Sequence, residues 1–185
     1  MNKKLYVISG PSGVGKGTVL KEFLNKNPKF MLSISCTTRN PREGEIDGVN
    51  YFFLSKDEFQ NCIDNDKFLE WAEFAGNRYG TKKKFIKQCL DEGKNVILEI
   101  DTKGALQVKE KMPEAVLIFI APPSLKTLED RLRGRHTETE EAIQNRLNEV
   151  KKELERAEKF DFKVINDDLK RAVEEIEKFT EQTNA

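Results

Sequence analysis

Histidine is almost missing from this 185-residue chain, and His136 is its single instance. Ser-His-Asp or Cys-His catalysis would have to use that one imidazole, whose neighbours are acidic and polar, so neither chemistry is expected. Cysteine is scarce as well. Cys36, Cys62 and Cys89 are odd in number, widely spaced and never in a C-x-x-C pair, which argues against a disulfide framework or a zinc site and for three reduced thiols. Net charge is lacking altogether: 32 Lys plus Arg balance 32 Asp plus Glu. A whole-protein affinity for nucleic acid or a membrane surface therefore has no electrostatic driver. No apolar run approaches the roughly 18 residues of a membrane span, and the opening Met1-Asn2-Lys3-Lys4-Leu5-Tyr6 reads as the start of a strand rather than a signal peptide. Repeats and low-complexity tracts are absent. The expected location is the cytoplasm.

What is present is a patterned single domain. Hydrophobic residues make up 37% of the chain and charged residues 35%; the apolar residues fall in runs at regular intervals, which separates the chain from disordered sequences of similar charge. Leu5 to Ile8, Val96 to Ile100 and Ala115 to Ile120 are continuous apolar runs, the signature of strands covered on both faces. Val164-Ile165 is a further short strand. Helical spacing occupies Thr18 to Asn25, Gly104 to Met112 and Leu169 to Phe179. Strands alternating with helices predict a three-layer α/β fold with a parallel sheet. Two segments break the alternation. Residues 34–83 hold short aromatic-rich pieces and predict an inserted, mostly β subdomain, with Ser55-Lys56-Asp57-Glu58 as a capping box opening a helix. Residues 124–150 are helical, Arg-rich and interrupted by Gly134, with a second capping-box pattern at Thr137-Glu138-Thr139-Glu140. The helix that follows carries Ile143, Leu147, Val150, Leu154 and Ala157 on one packing face. The core is then 1–33, 84–123 and 151–185.

Gly10-Pro11-Ser12-Gly13-Val14-Gly15-Lys16 follows a strand, precedes a helix and satisfies G-x-x-x-x-G-K. Glycines let the backbone curl with its N–H groups pointing inward, the helix N-terminus adds positive potential, and Lys16 supplies a compact charge for the β- and γ-phosphates. The hydroxyl that commonly follows the lysine is displaced by one: Gly17 comes first, then Thr18. The protein ligand of a Mg²⁺ ion is left open, with Thr18 or Asp101 as candidates and phosphates and water as the main donors. A phosphate loop alone defines only a nucleotide binder.

Further motifs choose among nucleotide binders. Ser33 to Glu45 reads S-I-S-C-T-T-R-N-P-R-E-G-E, with Arg39 and Arg42 three apart on a hydroxyl-rich turn suited to a phosphate. Tyr51-Phe52-Phe53, Glu70-Trp71-Ala72, Tyr79-Gly80-Thr81, Ile120-Ala121-Pro122-Pro123-Ser124 and the Gly134-Arg135 stretch follow in order. With these, the sequence strongly resembles the guanylate kinase family over nearly its whole length. The resemblance implies a phosphate-loop core, a GMP-binding insert, a mobile lid, and transfer of the γ-phosphoryl of ATP to GMP (and dGMP) with Mg²⁺.

Residue roles follow from the same resemblance. It implies that residues 10–18 (Gly10, Pro11, Ser12, Gly13, Val14, Gly15, Lys16, Gly17 and Thr18) with Arg131, Arg135 and Asn166 hold ATP. Arg39, Arg42, Tyr51 and Tyr79 would clamp the GMP phosphate, and Ser35, Glu70 and Thr81 would read guanine. Lys16, Arg39, Arg135 and Arg146 would stabilise the transferring phosphoryl group. From the residues alone, Glu70 reads as a solvated acid on a strand edge; the arginines read as a solvated face, and Arg133 remains one. Glu99 and Asp101 end a buried strand, where open α/β sheets face ligand, and the sequence does not decide which of them touches substrate. Two rivals stand: a non-catalytic interaction module of the same fold, and a kinase for another monophosphate. Oligomeric state is undetermined.

Overall fold

The computed structural model describes residues 4–134 and 139–184, with the backbone alone of Arg131, Leu132 and Asn184. Arg135, His136, Thr137 and Glu138 lie outside the described residues, as does the Arg131 side chain.

A five-stranded parallel sheet forms the centre. Its strands are β1 (Leu5–Ser9), β2 (Phe30–Leu32), β7 (Asn95–Glu99), β8 (Val116–Ala121) and β9 (Phe162–Ile165), in the order β2-β7-β1-β8-β9. The continuous apolar runs do line strands buried on both faces. Along β1, Leu5 and Val7 pack with Ile86, Cys89, Ala105, Val108 and Phe160 on one side, whereas Tyr6 and Ile8 pack with Val19, Phe23, Ala172, Val173 and Ile176 on the other. This alternation follows from the two-residue period of a strand. The first face is covered by α3 (Lys83–Asp91), α4 (Thr102–Lys111) and the end of α6 (Glu140–Arg156) with its terminal 3-10 turn; the second by α1 (Lys16–Lys26) and α7 (Leu169–Asn184).

The predicted insert is a second sheet, β4-β3-β6-β5, built from β3 (Cys36–Thr37), β4 (Phe52–Phe53), β5 (Phe68–Phe74) and β6 (Asn77–Lys82). Cys36, Phe59, Cys62 and Phe68 form its small core under α2 (Lys56–Asp64). Ser55 caps α2 as expected: Glu58 N–H donates to the Ser55 hydroxyl and Ser55 N–H donates to the Glu58 carboxylate. In the Arg-rich region α5 (Leu125–Arg133) and α6 bury Leu128, Ile143, Leu147 and Val150 together.

Two local expectations need correction, and one strand was not foreseen. Helix α4 starts at Thr102, two residues before the expected Gly104, because Asp101 caps it by accepting from Gly104 N–H at 2.7 Å. Strand β2 has no counterpart in the sequence pattern, since Phe30–Leu32 is too short for a period; pairing with β7 defines it. Helix α6 is capped by Thr139 through Ala142 N–H rather than by the Thr137 box. Its first residue is Glu140, so Thr139 occupies the cap position and position three beyond it is an alanine that cannot reciprocate. Helix α6 also runs unbroken across the 150/151 line. Among the described residues no helix is long and apolar enough to cross a membrane, and all three cysteines are free and buried.

Candidate functional site: a phosphate loop facing a sheet-borne carboxylate

The phosphate loop leaves the carboxyl end of β1, where the chain's crossovers diverge towards β7 on one side and β8 on the other. Such a switch point opens the crevice in which α/β sheets bind ligands. Two glycines here have steric causes. A Cβ on Gly10 would lie 2.4 Å from the Ile120 carbonyl oxygen of β8, and Gly15 adopts φ +89°, with the Asn166 amide 2.8 Å from where its Cβ would be. Val14 N–H closes the turn onto Pro11 O at 3.2 Å, and Lys16 Nζ reaches back to Gly10 O at 3.4 Å. Helix α1 begins at Lys16 with no side-chain cap and no acid in its first turn. Its leading N–H groups are thus available to an anion, which the helix dipole favours.

Asn166, expected at the adenine side, donates to Val14 O at 2.8 Å, so it braces the loop from the end of β9. Arg146 on α6 donates to Ser12 Oγ at 3.2 Å, which joins the Arg-rich helix to the loop. One turn and two turns further along the same face stand Glu149 and Glu153. Arg156 at its end bonds Thr102 Oγ1 at 3.4 Å and Glu149 at 3.3 Å. Glu153 is therefore bracketed between the phosphate loop and the start of α4. Burial raises its carboxyl, and Lys16 opposes that rise. Read from sequence, the apolar face of this helix serves packing, the resemblance singles out Arg146, and Glu153 goes unnoticed; its spacing of seven from Arg146 is the available signal. Arg133 is tied between Glu129 and Glu140.

On the insert, the two-residue period places Tyr79 and Thr81 on one face of β6. Thr37 faces Tyr79, and Glu70 faces Thr81, across the neighbouring strands. Glu70 is 4% exposed, not solvated. Thr81 hydroxyl donates to it at 2.6 Å. Burial pushes its carboxyl up to about 7, with Asp101 adding to the rise and Thr81 and Lys111 opposing it. Helix α4 shapes this corner. A Cβ on Gly104 would meet Glu70 Oε2 at 3.0 Å. Gln107 accepts from Trp71 N–H at 3.2 Å and donates to Trp71 O at 3.3 Å, satisfying the free edge of β5 immediately beside Glu70. Neither Gly104 nor Gln107 stands out in the sequence.

The basic turn lies next to the same sheet. Arg39 sits over the rings of Tyr51 and Phe53, 5.4 and 5.9 Å from their centroids, and the Tyr51 and Tyr79 rings are 6.1 Å apart. Arg39 donates to Glu45 at 2.8 Å, and this bond raises the guanidinium and lowers the Glu45 carboxyl. Arg42 is exposed, and its backbone N–H binds Glu45 at 2.7 Å. Ser35 immediately precedes β3, and Asp101 lies between β7 and α4, where it caps the helix. Glu99 is exposed, at the end of β7. Thr18, also exposed, lies in the first turn of α1.

A nest of backbone amides on a parallel sheet, facing a separate basic and carboxylate-bearing subdomain, defines a phosphate-loop protein with two nucleotide subsites. Similarity narrows the class. The guanylate kinase family model matches residues 2–183. Guanylate kinase of Prochlorococcus marinus (strain NATL2A) is 54% identical over 175 residues, covering 95% of this chain and 94% of that protein. Guanylate kinase of Bacillus anthracis is 54% identical over 173 residues, covering 93% and 84%. The crystal structure of guanylate kinase from Anaplasma phagocytophilum superposes with a TM-score of 0.74 at 30% identity, covering 97% of this chain and 85% of that one. The chain belongs to the guanylate kinase family.

Proposed function

We propose that this protein transfers the γ-phosphoryl group of ATP to GMP, giving ADP and GDP, by in-line displacement without a covalent enzyme intermediate. The observation that carries the reading is the buried Glu70–Thr81 pair on the same small sheet as Tyr79, whose ring neighbours Tyr51 and, through it, Arg39. Guanine presents N1–H and N2–H₂ as two parallel donors, which a carboxylate accepts together; adenine offers an acceptor at N1 and nothing at C2. A site built to pair a donor edge rejects the analogue that lacks it by about 10⁴. Tyr79 and Thr81, two residues apart on one strand face, suit a ligand with its phosphate near one and its base near the other.

In this scheme residues 10–18 wrap the ATP phosphates, with Lys16 on the β- and γ-groups. Arg146, and Arg131 and Arg135 by resemblance, bring positive charge to the transferring group. Phosphoryl transfer spreads charge over oxygens in a loose transition state, so placed cations and excluded water are the chief requirements. GMP brings an anionic nucleophile, and no general base is needed. Ser35, Glu99 and Asp101 complete the acceptor side. The residues present suit Mg²⁺: the loop offers only hard oxygens, and no cluster of three His, Cys, Asp or Glu side chains exists among the described residues. That is the donor set of an ion carried largely by phosphates and water. Thr18 or Asp101 would supply a protein oxygen to it, and when bound it would neutralise phosphate charge. Free buried thiols support a cytoplasmic, reducing setting.

A coupled assay with GMP, dGMP, AMP, CMP and UMP as acceptors tests the reading. GMP, and more weakly dGMP, should be turned over. Equal rates with AMP would overturn the role of Glu70, and no turnover with any acceptor would favour an interaction module. The intact Gly10 to Lys16 loop speaks against that module.

A further inference from the structure

The basic turn of the insert already holds an anion, and the chain itself provides it. Arg42 O accepts from Glu45 N–H at 3.0 Å, and Gly44 at φ +81° supplies the left-handed residue that turns the chain back. The turn aims the Glu45 carboxylate at its own start. One oxygen takes Arg39 Nη2 at 2.8 Å and the other takes Arg42 N–H at 2.7 Å. Arg39 spends its other terminal nitrogen on Asn40 O at 2.7 Å, and Tyr51 and Phe53 fix the plane of the guanidinium. The pair is sheltered, with side-chain exposures of 15% and 19%. A carboxylate spanning one guanidinium nitrogen and one amide presents the same pair of acceptor oxygens as one edge of a phosphate monoester. A phosphate arriving at Arg39 thus finds the fork oriented but its Nη2 already bound to Glu45.

We propose that Glu45 is a placeholder anion in the GMP-phosphate clamp, a positioning residue that an incoming phosphate must displace from Arg39. The proposal rests on the reading of Arg39 as part of that clamp. Its consequence is selectivity for the whole nucleotide. Inorganic phosphate gains only the clamp contacts, and these are offset by releasing Glu45. GMP adds the contacts of its base at Glu70 and Thr81, which drive the exchange. Small anions are kept out of the site even though it is built from arginines, and Arg39 stays aligned with its charge compensated until substrate arrives.

The test compares wild type, Glu45→Gln, Glu45→Ala and Arg39→Ala, with inorganic phosphate as the probe. Both Glu45 variants should become more sensitive to inorganic phosphate as a competitive inhibitor against GMP, its Ki falling by about tenfold, the size of one charge-assisted bond no longer broken. Their KM for GMP should fall or hold, and KM for ATP should not move. An unchanged Ki, or a KM for GMP that rises about tenfold in both variants, would overturn the proposal and leave Glu45 as a support for Arg39. Arg39→Ala separates the two layers: if it keeps a normal KM for GMP, the clamp reading itself fails. Wild-type protein gives a readout independent of folding in the variants. The ¹³C resonance of the Glu45 carboxylate should move on saturation with GMP but not with the same concentration of inorganic phosphate; a resonance that GMP leaves in place refutes displacement.

Discussion

Replacing Glu70 by glutamine should make the empty protein more stable at pH 8 while crippling it as an enzyme. The carboxyl is held at about 7 against an ordinary 4.5, chiefly by burial. At about 1.4 kcal/mol per pH unit, the ionised form is disfavoured in the fold by about 3 kcal/mol. Between pH 4.5 and about 7 the folded protein holds more protons at this site than the unfolded chain does, so stability falls as pH rises through that window. The penalty is full above about pH 7 and absent below 4.5. Glutamine carries no charge, and its carbonyl oxygen can still accept from Thr81, so the variant escapes the penalty and keeps the bond. Urea unfolding followed by circular dichroism should show Glu70→Gln ahead of wild type by about 1–3 kcal/mol at pH 8, a gap that closes towards pH 5. Activity should move the other way. The amide turns a donor towards guanine's own donors, and losing one charged hydrogen bond while burying an unpaired donor costs about 3–5 kcal/mol, or roughly 10²–10⁴ in kcat/KM for GMP. A variant no more stable than wild type at pH 8, or a gap that ignores pH, would refute the argument that burial strains this carboxylate.

Other outcomes follow from the same geometry. Wild-type KM for GMP should rise about tenfold from pH 8 to pH 6 as Glu70 takes up its proton, and Glu70→Gln, in which only the GMP phosphate titrates, should show the smaller dependence. Lys16→Ala should cut kcat by about 10²–10³ or more with an unchanged circular dichroism spectrum; a near-normal rate would remove Lys16 from the mechanism. Gly10→Ala should destabilise by more than about 2 kcal/mol in thermal unfolding, because a Cβ 2.4 Å from the Ile120 carbonyl forces two strands apart. Gln107→Leu should raise KM for GMP by about five- to tenfold with little change in KM for ATP, since Trp71 N–H and C=O lose the partner that fixes the strand carrying Glu70.

Features that depend on neighbours in sequence were legible in advance. The phosphate loop is one, because a tight turn, a helix start and a lysine are consecutive requirements of one short segment. The three central strands β1, β7 and β8 were legible because burial on both faces demands an unbroken apolar run; β9 showed only as Val164-Ile165, and three-residue β2 did not show at all. The Ser55–Glu58 box closes within a single turn. Ile143, Leu147 and Val150 marked the buried face of α6 because the helical period is local too. The same locality misled at Thr137-Glu138-Thr139-Glu140: the pattern offers two threonines, and α6 starts at Glu140 with Thr139 as its cap.

What the sequence alone determined, then, is the class of fold, the donor-phosphate loop and the list of polar residues available to a second subsite. Tertiary structure decided what those polar residues are. From its own neighbours in sequence, without the resemblance, Glu70 reads as a solvated edge acid; in the fold α4 lays Gly104 and Gln107 against β5 and takes water away from it. Glu45 read as one acid among many until a left-handed glycine turned it onto Arg39. Glu153 carried no signal beyond its spacing until Arg146 and Arg156 pinned its helix between the loop and Thr102 at the start of α4. A carboxylate's chemistry depends on which charges and how much water surround it, and those neighbours come from segments distant in the chain.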